Sequence, residues 1–234
     1  MKRVYDLLII GAGFSGSVLA FSLVSNGYKG KIGIIENGRN FGGRSSSRIS
    51  LKNKGWILNH GSPNFNIENH ENKLLSEFLN QLFKKNLICL DDSKVIKINN
   101  NLELSSCINN SFYKGKIYKA RTSISNLLEA LVNEGDKFNK VDLFFNTLIK
   151  DFYFKNNKWR IFSENLEFHS KFIISSSNLI LHKRSIQILK KDKIPLREAI
   201  PEGADKKLDN IIDLLNNQYL IKRKNYLIYT NKLY

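Results

Sequence analysis

The sequence predicts an α/β fold that opens with a β-α-β unit and continues into mixed helices and strands. Two features at the start of the chain support this prediction. Residues 4–10 are mostly apolar and lead into a glycine-rich turn, and residues 15–26 continue as an uncharged helical pattern. Residues 31–36 then form a second short run rich in β-branched side chains, typical of a buried parallel strand. With 234 residues, the chain is long enough for one large domain or two small ones.

The rest of the pattern predicts further helices and strands. Helices are predicted at 72–85, 122–133 and 205–217, and strands at 56–59, within 86–119, in a meander over 141–175 and as a pair over 219–229. The meander contains five short runs, with a turn at Asn156 and Asn157. Residues 37–48 form a loop rich in Gly, Ser and Arg, and the three serines at 175–177 are expected to be a strand-end loop.

The composition is that of an ordinary globular protein. Hydrophobic residues make up 42% and charged residues 25% of the chain, which excludes wholesale disorder. The chain contains 14 glycines and 3 prolines, too few for a collagen-like protein. Cys89 and Cys107 form neither a CxxC pair nor a disulfide framework, so we expect a reducing, cytoplasmic location.

The net charge of +16 raises the question of a polyanionic partner. The basic excess is scattered among Asn and Ile, and no segment forms a dense basic arm. Aromatic residues are not interleaved with basic ones in the way that is typical of nucleic-acid-binding surfaces. We therefore expect no nucleic acid as a partner.

Residues 7–24 form a run of eighteen residues without a charge, preceded by basic residues, as in signal sequences and membrane anchors. Asp6 interrupts the approach from the basic residues, and Gly11, Gly13 and Gly16 divide the run. A strand, a glycine turn and a helix account for all of these residues. We therefore predict no membrane span.

The three glycines form a GxGxxG pattern between a predicted strand and a predicted helix. The first glycine permits a tight turn, the second lets the backbone approach a pyrophosphate, and the third allows the helix to pack closely on the strand. Glu36 lies twenty residues after Gly16, where an acidic side chain accepts hydrogen bonds from an adenosine ribose. The alternative is a tight turn beside a surface glutamate, but spacing and context together favour a dinucleotide-binding site.

A second glycine pair precedes an arginine in the loop that follows Glu36. Gly42 and Gly43 stand directly before Arg44 and begin six residues after Glu36. A flexible Gly-Gly lets Arg44 fold back over the glycine turn, where a guanidinium can bind two phosphate oxygens. Taken alone, this loop is explained equally well as a solvated basic segment.

In this order, the GxGxxG pattern, Glu36 and the GGR segment resemble the amine-oxidase-type FAD proteins, and most closely their renalase-like members. Residues 59–65, NHGSPNF, stand where that family has a segment resembling D-x-G-A-Q-Y-F. The resemblance implies a Rossmann-like FAD-binding domain, with a segment near 146–149 against the adenine. The residues implied to contact FAD are Gly11, Gly13, Ser15, Gly16, Glu36, Gly43, Arg44, Pro63 and Asn64.

The same resemblance implies how the chain is divided and what it does. Residues 1–65 and 122–180 would form the FAD-binding domain, and residues 66–121 and 181–234 would be portions of an incomplete substrate region. The implied reaction is hydride transfer from a small molecule, an amine or a dihydronicotinamide-like compound, to the flavin. No residue is identified as catalytic, and the four histidines lack metal-ligand spacing, so no metal is expected.

The family also has a late Gly-Asp segment that this chain does not show. The nearest string is Gly203-Ala204-Asp205, which stands in a predicted loop before a helix. A non-catalytic or truncated dinucleotide-binding remnant, completed by another chain, is therefore the alternative function. Exposed apolar positions would then promote self-association. Those expected to be exposed in the last predicted strands are Leu220, Ile221, Leu227 and Ile228.

Overall fold

The computed structural model describes residues 2–50, 52, 55–59, 61–68, 71–91, 95–98, 101–106, 115–136, 140–177, 180–218 and 226–229. Within these ranges it contains helices and strands in mixed order. The helices are α1 (Phe14–Ser25), α2 (Lys73–Lys84), α3 (Ile124–Asp136), α4 (Arg184–Leu189), α5 (Leu196–Ala199) and α6 (Lys206–Gln218), with a short 3-10 helix at Gly43–Ser45.

The strands fall into one large sheet and three small ones. They are β1 (Lys2–Ile10), β2 (Ile32–Ile35), β3 (Ser47–Ile49), β4 (Ile57–Asn59), β5 (Asn64–Ile67), β6 (Ile88–Leu90), β7 (Val95–Ile98), β8 (Leu104–Ser106), β9 (Lys116–Ala120), β10 (Val141–Phe144), β11 (Asp151–Lys155), β12 (Lys158–Phe162), β13 (Glu167–Ser175) and β14 (Tyr226–Tyr229).

The central sheet has six strands in the order β10-β2-β1-β13-β12-β11. β10, β2, β1 and β13 are mutually parallel, whereas β11 and β12 run antiparallel to their neighbours. All four residues of β2 are buried, because the parallel part of the sheet is covered on both faces. The predicted α/β fold with an opening β-α-β unit is therefore confirmed.

Two apolar clusters cover the two faces of the sheet. One joins Leu7 and Ile9 of β1 to α1, α2 and α3. The other joins Leu8 and Ile10 to residues that follow β13, among them Ile194 and Ile212. The chain after β13 thus packs back on the face opposite α1 and α3.

Helix α3 shows how the local sequence sets an element. Ser123 precedes it, and the Ser123 hydroxyl accepts a hydrogen bond from the Asn126 N–H at 3.1 Å, which caps the helix. The apolar residues recur with helical spacing and form one buried face. They are Ile124, Leu127, Leu128, Leu131 and Val132. This stripe fixes α3 beside α1 on the sheet.

The small sheet β5-β9-β6 is joined to the central core through α2. Leu79 and Leu82 of α2, Ile88 of β6 and Tyr118 of β9 belong to the same buried cluster as α1 and α3. Residues from the region between 66 and 121 therefore share a core with the first β-α-β unit. The predicted domain boundaries at 65, 121 and 180 stay a prediction.

The predicted meander over 141–175 is wrong at its first strand. β10 does not continue into β11 as a hairpin partner but lies parallel to β2, with Val141 opposite Ile32. Asp142 on β10 accepts a hydrogen bond from the Tyr5 hydroxyl at 2.7 Å and forms an ion pair with Lys31 at 2.8 Å. These contacts between distant parts of the chain place β10 at the edge of the parallel sheet.

The end of the predicted meander also differs. Two separate runs were expected between 166 and 175, but β13 is one continuous strand that pairs with β1 and β12. Its polar centre stays in the sheet because His169 contacts Glu167 and the Ser170 hydroxyl donates to the Phe172 carbonyl at 2.7 Å. β11 and β12 form the predicted hairpin, with Asn156 and Asn157 in the left-handed region at its turn.

The last predicted strand pair is described only in part. β14 pairs antiparallel with β7, and Tyr226 lies opposite Ile98. Residues 219–225, which include Leu220 and Ile221, lie outside the described residues. For Leu227 and Ile228 only the strand is described, so their predicted exposure stays a prediction. Cys107 also lies outside the described residues. In the described part of the chain, the longest helices have 13 residues, and none is long and apolar enough to cross a bilayer.

The buried stripe of α3 makes a testable prediction about stability. Leu128 is fully buried, so Leu128→Ala should lower the free energy of unfolding by about 2–5 kcal/mol through lost burial and the cavity left behind. Its neighbour Glu129 is exposed, and Glu129→Ala should change that free energy by less than about 0.5 kcal/mol. Urea denaturation of both variants measures the difference. Equal destabilisation would contradict the packing of α3.

Candidate functional site

The parallel strands end at one edge of the sheet, and the predicted site residues follow these ends. β1 leads into the glycine turn, β2 into Glu36, β10 into residues 145–147 and β13 into Ser176. Ligands of open α/β sheets bind outside the carboxyl ends of the strands, where the loops converge. The candidate site therefore lies at this edge.

Two of the three glycines of the turn are required by the fold itself. Gly11 has a φ of +108°, and a Cβ atom there would lie 2.8 Å from the Ser176 Oγ. A Cβ atom on Gly16 would lie 2.0 Å from the Gly11 carbonyl oxygen, a distance that real contacts do not reach. Helix α1 thus packs against the end of β1 with backbone touching backbone.

Gly13 differs from both. Its φ of −76° and ψ of −174° are extended values that any residue can adopt. The nearest atom to a Cβ atom at this position would be the Gly42 carbonyl oxygen, at 3.8 Å. The fold therefore does not need a glycine here, and the absence of a side chain leaves space at the start of α1.

The start of α1 has the electrostatics of an anion site. Gly13 is the N-cap residue, within the described residues no side chain caps the helix, and the first turn contains no acidic residue. The first N–H groups of a helix carry partial positive charge when nothing caps them. Ser15 is exposed in this first turn. Together these features favour a negatively charged group beside Gly13.

Glu36 is held against the glycine turn by two backbone amides. Its Oε2 accepts a hydrogen bond from the Ala12 N–H at 2.8 Å, and its Oε1 accepts one from the Gly38 N–H at 2.6 Å. A carboxylate has about four acceptor positions, so each oxygen retains one for a further donor. Glu36 can accept hydrogen bonds from two neighbouring hydroxyl groups without leaving this position.

The segment after β10 lies beside Glu36. The Thr147 N–H donates to the Glu36 carbonyl at 2.9 Å, and the Asn146 N–H donates to the Gly38 carbonyl at 2.9 Å. Asn146 adopts a left-handed φ of +51°, which turns the chain across the end of β2. The segment 146–149, which the family resemblance relates to the adenine, is therefore adjacent to Glu36.

The GGR loop lies on the glycine turn. The Gly42 N–H donates to the Ala12 carbonyl at 3.0 Å, and Gly13 and Gly42 form a parallel bridge. Gly42 and Gly43 have φ values of +124° and +53°, which favour glycine, and Gly43 lies beside Gly13. Arg44 is exposed, and within the described ranges its side chain has no hydrogen-bond or ion-pair partner.

The segment that contains Pro63 and Asn64 contacts the other side of the same loop. The Ser62 N–H donates to the Arg44 carbonyl at 3.2 Å, and a Cβ atom on Gly61 would lie 2.3 Å from that oxygen. Pro63 is half-buried, but the Asn64 amide is buried and donates to Asp91 at 3.0 Å. The structure brings this segment to the site, while contacts of Pro63 and Asn64 with a cofactor stay a prediction.

Ser176 is a site residue that the sequence did not identify. Its hydroxyl donates to the Gly11 carbonyl at 2.9 Å and occupies the space that Gly11 and Gly16 leave open. In sequence it is one of three serines after a strand, which were expected only to end that strand. The available signal was a small polar residue at the end of a strand parallel to β1. In the described residues no group of three or more His, Cys, Asp and Glu could hold a metal ion.

Comparison with known proteins bears on the fold of the part of the chain that forms this site. Residues 9–82 match the model of a family described as an NAD(P)-binding Rossmann-like domain. The match begins within β1 and includes the glycine turn, Glu36 and the GGR loop. The fold and the match agree that this part of the chain has a Rossmann-like fold.

Individual proteins that the chain resembles are oxidases by name. Over 50 residues the chain is 46% identical to cholesterol oxidase of Mycobacterium tuberculosis. These residues make up 21% of this chain and 8% of that enzyme. Putrescine oxidase with bound putrescine superposes with a TM-score of 0.53 at 11% identity, over 76% of this chain and 60% of that one. A triple mutant of putrescine oxidase gives a TM-score of 0.54 at 9% identity, over 89% of this chain and 64% of the mutant's chain. The chain thus spans less than two thirds of the length of these proteins.

The contrast between Gly13 and Gly16 predicts different effects on stability. Gly16→Ala should destabilise the protein by about 3 kcal/mol or more, because its Cβ atom meets a backbone oxygen at 2.0 Å. Gly13→Ala should change the free energy of unfolding by less than about 1 kcal/mol, because its Cβ atom would make an ordinary van der Waals contact, 3.8 Å from the Gly42 carbonyl oxygen. Denaturant unfolding without added ligand measures both variants. Similar losses at the two positions would show that Gly13 also serves the fold.

Proposed function

We propose that this chain binds FAD at the turn between β1 and α1 and is a flavin-dependent oxidoreductase of the amine-oxidase type. The observation that supports this most directly is that Gly13 lacks a side chain at a position where the fold would accommodate a Cβ atom. The fold does not require a glycine there, yet the position is bordered by an uncapped helix start and by the GGR loop. A diphosphate fits this combination of open backbone and positive charge.

The surrounding residues suit the other parts of the cofactor. Ser15 and the start of α1 would bind the pyrophosphate together with Arg44, whose exposed guanidinium can form two parallel hydrogen bonds. Glu36 would accept the ribose hydroxyls, since its carboxylate is already oriented by Ala12 and Gly38. Segment 146–149 would lie against the adenine, and Pro63 and Asn64 are assigned to the site by resemblance.

The substrate is proposed to be an amine or a dihydronicotinamide-like compound. When bound, FAD supplies the hydride acceptor for such a reduced small molecule. An amine is supported by the fold shared with putrescine oxidase, and the renalase-like assignment by the motifs within residues 4–65. A cytoplasmic location is proposed from the cysteine content, and self-association or a partner chain stays a prediction.

The role of Gly13 can be tested by placing a side chain at this position. Gly13→Val should abolish FAD uptake, because the side chain would stand between the backbone and the pyrophosphate. The far-UV circular dichroism should stay near that of the wild type, because valine is compatible with the extended backbone at this position. FAD titration, followed by flavin fluorescence and visible absorbance, measures uptake.

Ser25→Val, at the exposed far end of α1, is the matched control and should bind FAD like the wild type. Retained uptake by Gly13→Val would remove the glycine turn from the cofactor site. A wild-type protein that takes up no FAD would refute the proposed function itself.

Arg44 can be tested with its positive charge kept. Arg44→Lys should weaken FAD binding roughly tenfold, because lysine cannot form the two parallel hydrogen bonds of a guanidinium. Arg48→Lys, also at an exposed arginine but on β3, should leave the affinity unchanged. Calorimetric titration with FAD gives the dissociation constant of each variant relative to that of the wild type. Equal affinities for Arg44→Lys and the wild type would exclude a bidentate contact.

A further inference from the structure

Both ends of the GGR loop are held by one hydroxyl group. The Ser125 Oγ–H donates to the Phe41 carbonyl at 2.9 Å, and the same oxygen accepts a hydrogen bond from the Ser47 N–H at 2.9 Å. Phe41 and Ser47 stand on either side of Gly42, Gly43 and Arg44. The hydroxyl therefore closes the loop at its base and uses both its donor and an acceptor position to do so.

The loop needs such an anchor because its backbone is intrinsically mobile. Two consecutive glycines with positive φ have more freedom to lose on ordering than other residues. The Gly42 N–H bond to Ala12 fixes the start of the loop on the glycine turn. Ser47, which follows Arg44, is tied through its amide to Ser125, so the position of Arg44 is constrained from both sides.

Ser125 stands on a rigid support. It lies in the first turn of α3, whose buried stripe includes Ile124 and Leu128 on either side of it. The helix is already capped by Ser123, so Ser125 is not the residue that caps it. Phe41 is itself buried and packs edge-on against Phe145 at 5.0 Å between ring centroids. The hydroxyl thus links two fixed parts of the fold across a flexible loop.

We propose that Ser125 is a positioning residue that holds Arg44 over the glycine turn for binding of the cofactor diphosphate. This inference rests on the proposed function, since it assigns Ser125 a role in FAD affinity. Ser125 acts through the loop and does not itself touch the cofactor. Its contribution should therefore depend on the Arg44 guanidinium, which distinguishes it from a residue that only stabilises the fold.

The experiment is a double-mutant cycle on the full chain with FAD as the titrant. Ser125→Ala should weaken FAD binding roughly tenfold, the effect expected from the loss of two hydrogen bonds. Ser125→Thr retains the hydroxyl and should restore most of the affinity. When Arg44 is already replaced by alanine, adding Ser125→Ala should weaken binding by less than about twofold, because the residue it positions is gone.

Ser123→Ala is the matched control, since it removes the hydroxyl that caps the same helix by accepting the Asn126 N–H. It should lower the thermal stability but leave FAD affinity within about twofold of the wild type. Hydrogen exchange of the FAD-free protein adds a readout that needs no cofactor. The Ser47 amide should exchange faster in Ser125→Ala than in the wild type or in Ser123→Ala.

Three results would overturn the inference. If the wild type binds FAD and Ser125→Ala binds it equally well, the role of Ser125 is refuted but the proposed function is not. If Ser125→Ala lowers FAD affinity by the same factor whether Arg44 is present or replaced by alanine, Ser125 acts on the fold and not through the arginine. A wild type that takes up no FAD would refute the proposed function, and the inference with it, even if Ser47 exchange behaves as expected.

Discussion

The close contact between the start of α1 and the end of β1 is the constraint on which the site depends. It exists only because position 16 has no side chain to separate the two backbones. With α1 in this place, Ala12 is fully buried. Its N–H binds the Glu36 carboxylate and its carbonyl accepts the Gly42 N–H. One tight turn thereby aligns Glu36 and the GGR loop.

The first β-α-β unit could be predicted from the sequence because its signals are local. The apolar run, the glycine turn and the uncharged helix are contiguous, and α1 spans Phe14–Ser25 against a predicted 15–26. Strand β10 could not be placed in the same way. Its pairing with β2 is accompanied by the Tyr5 hydrogen bond to Asp142, and these residues are 137 positions apart. No pattern within residues 141–175 distinguishes a parallel edge strand from one strand of a meander.

The site shows the same division between local and distant information. The spacing from Gly16 to Glu36 and Arg44 was readable, and the structure brings Gly13, Glu36 and the GGR loop together. Ser176 and Ser125 were not identifiable, because their partners are Gly11 and Phe41, at separations of 165 and 84 residues. A serine hydroxyl has no sequence signature until the chain folds. The glycines predict where a ligand approaches, but not which side chains fix the loops around it.

The fold's tolerance of a Cβ atom at position 13 also has a consequence for how such sequences diverge. Gly11 and Gly16 are constrained by the folded chain alone, whereas nothing within the described residues opposes a methyl group at position 13. A lineage that kept this fold but lost its ligand would be under no selection to retain the middle glycine, while the outer two would persist. The residue at this position therefore indicates, from the gene sequence alone, whether a turn of this kind is under selection to bind a ligand.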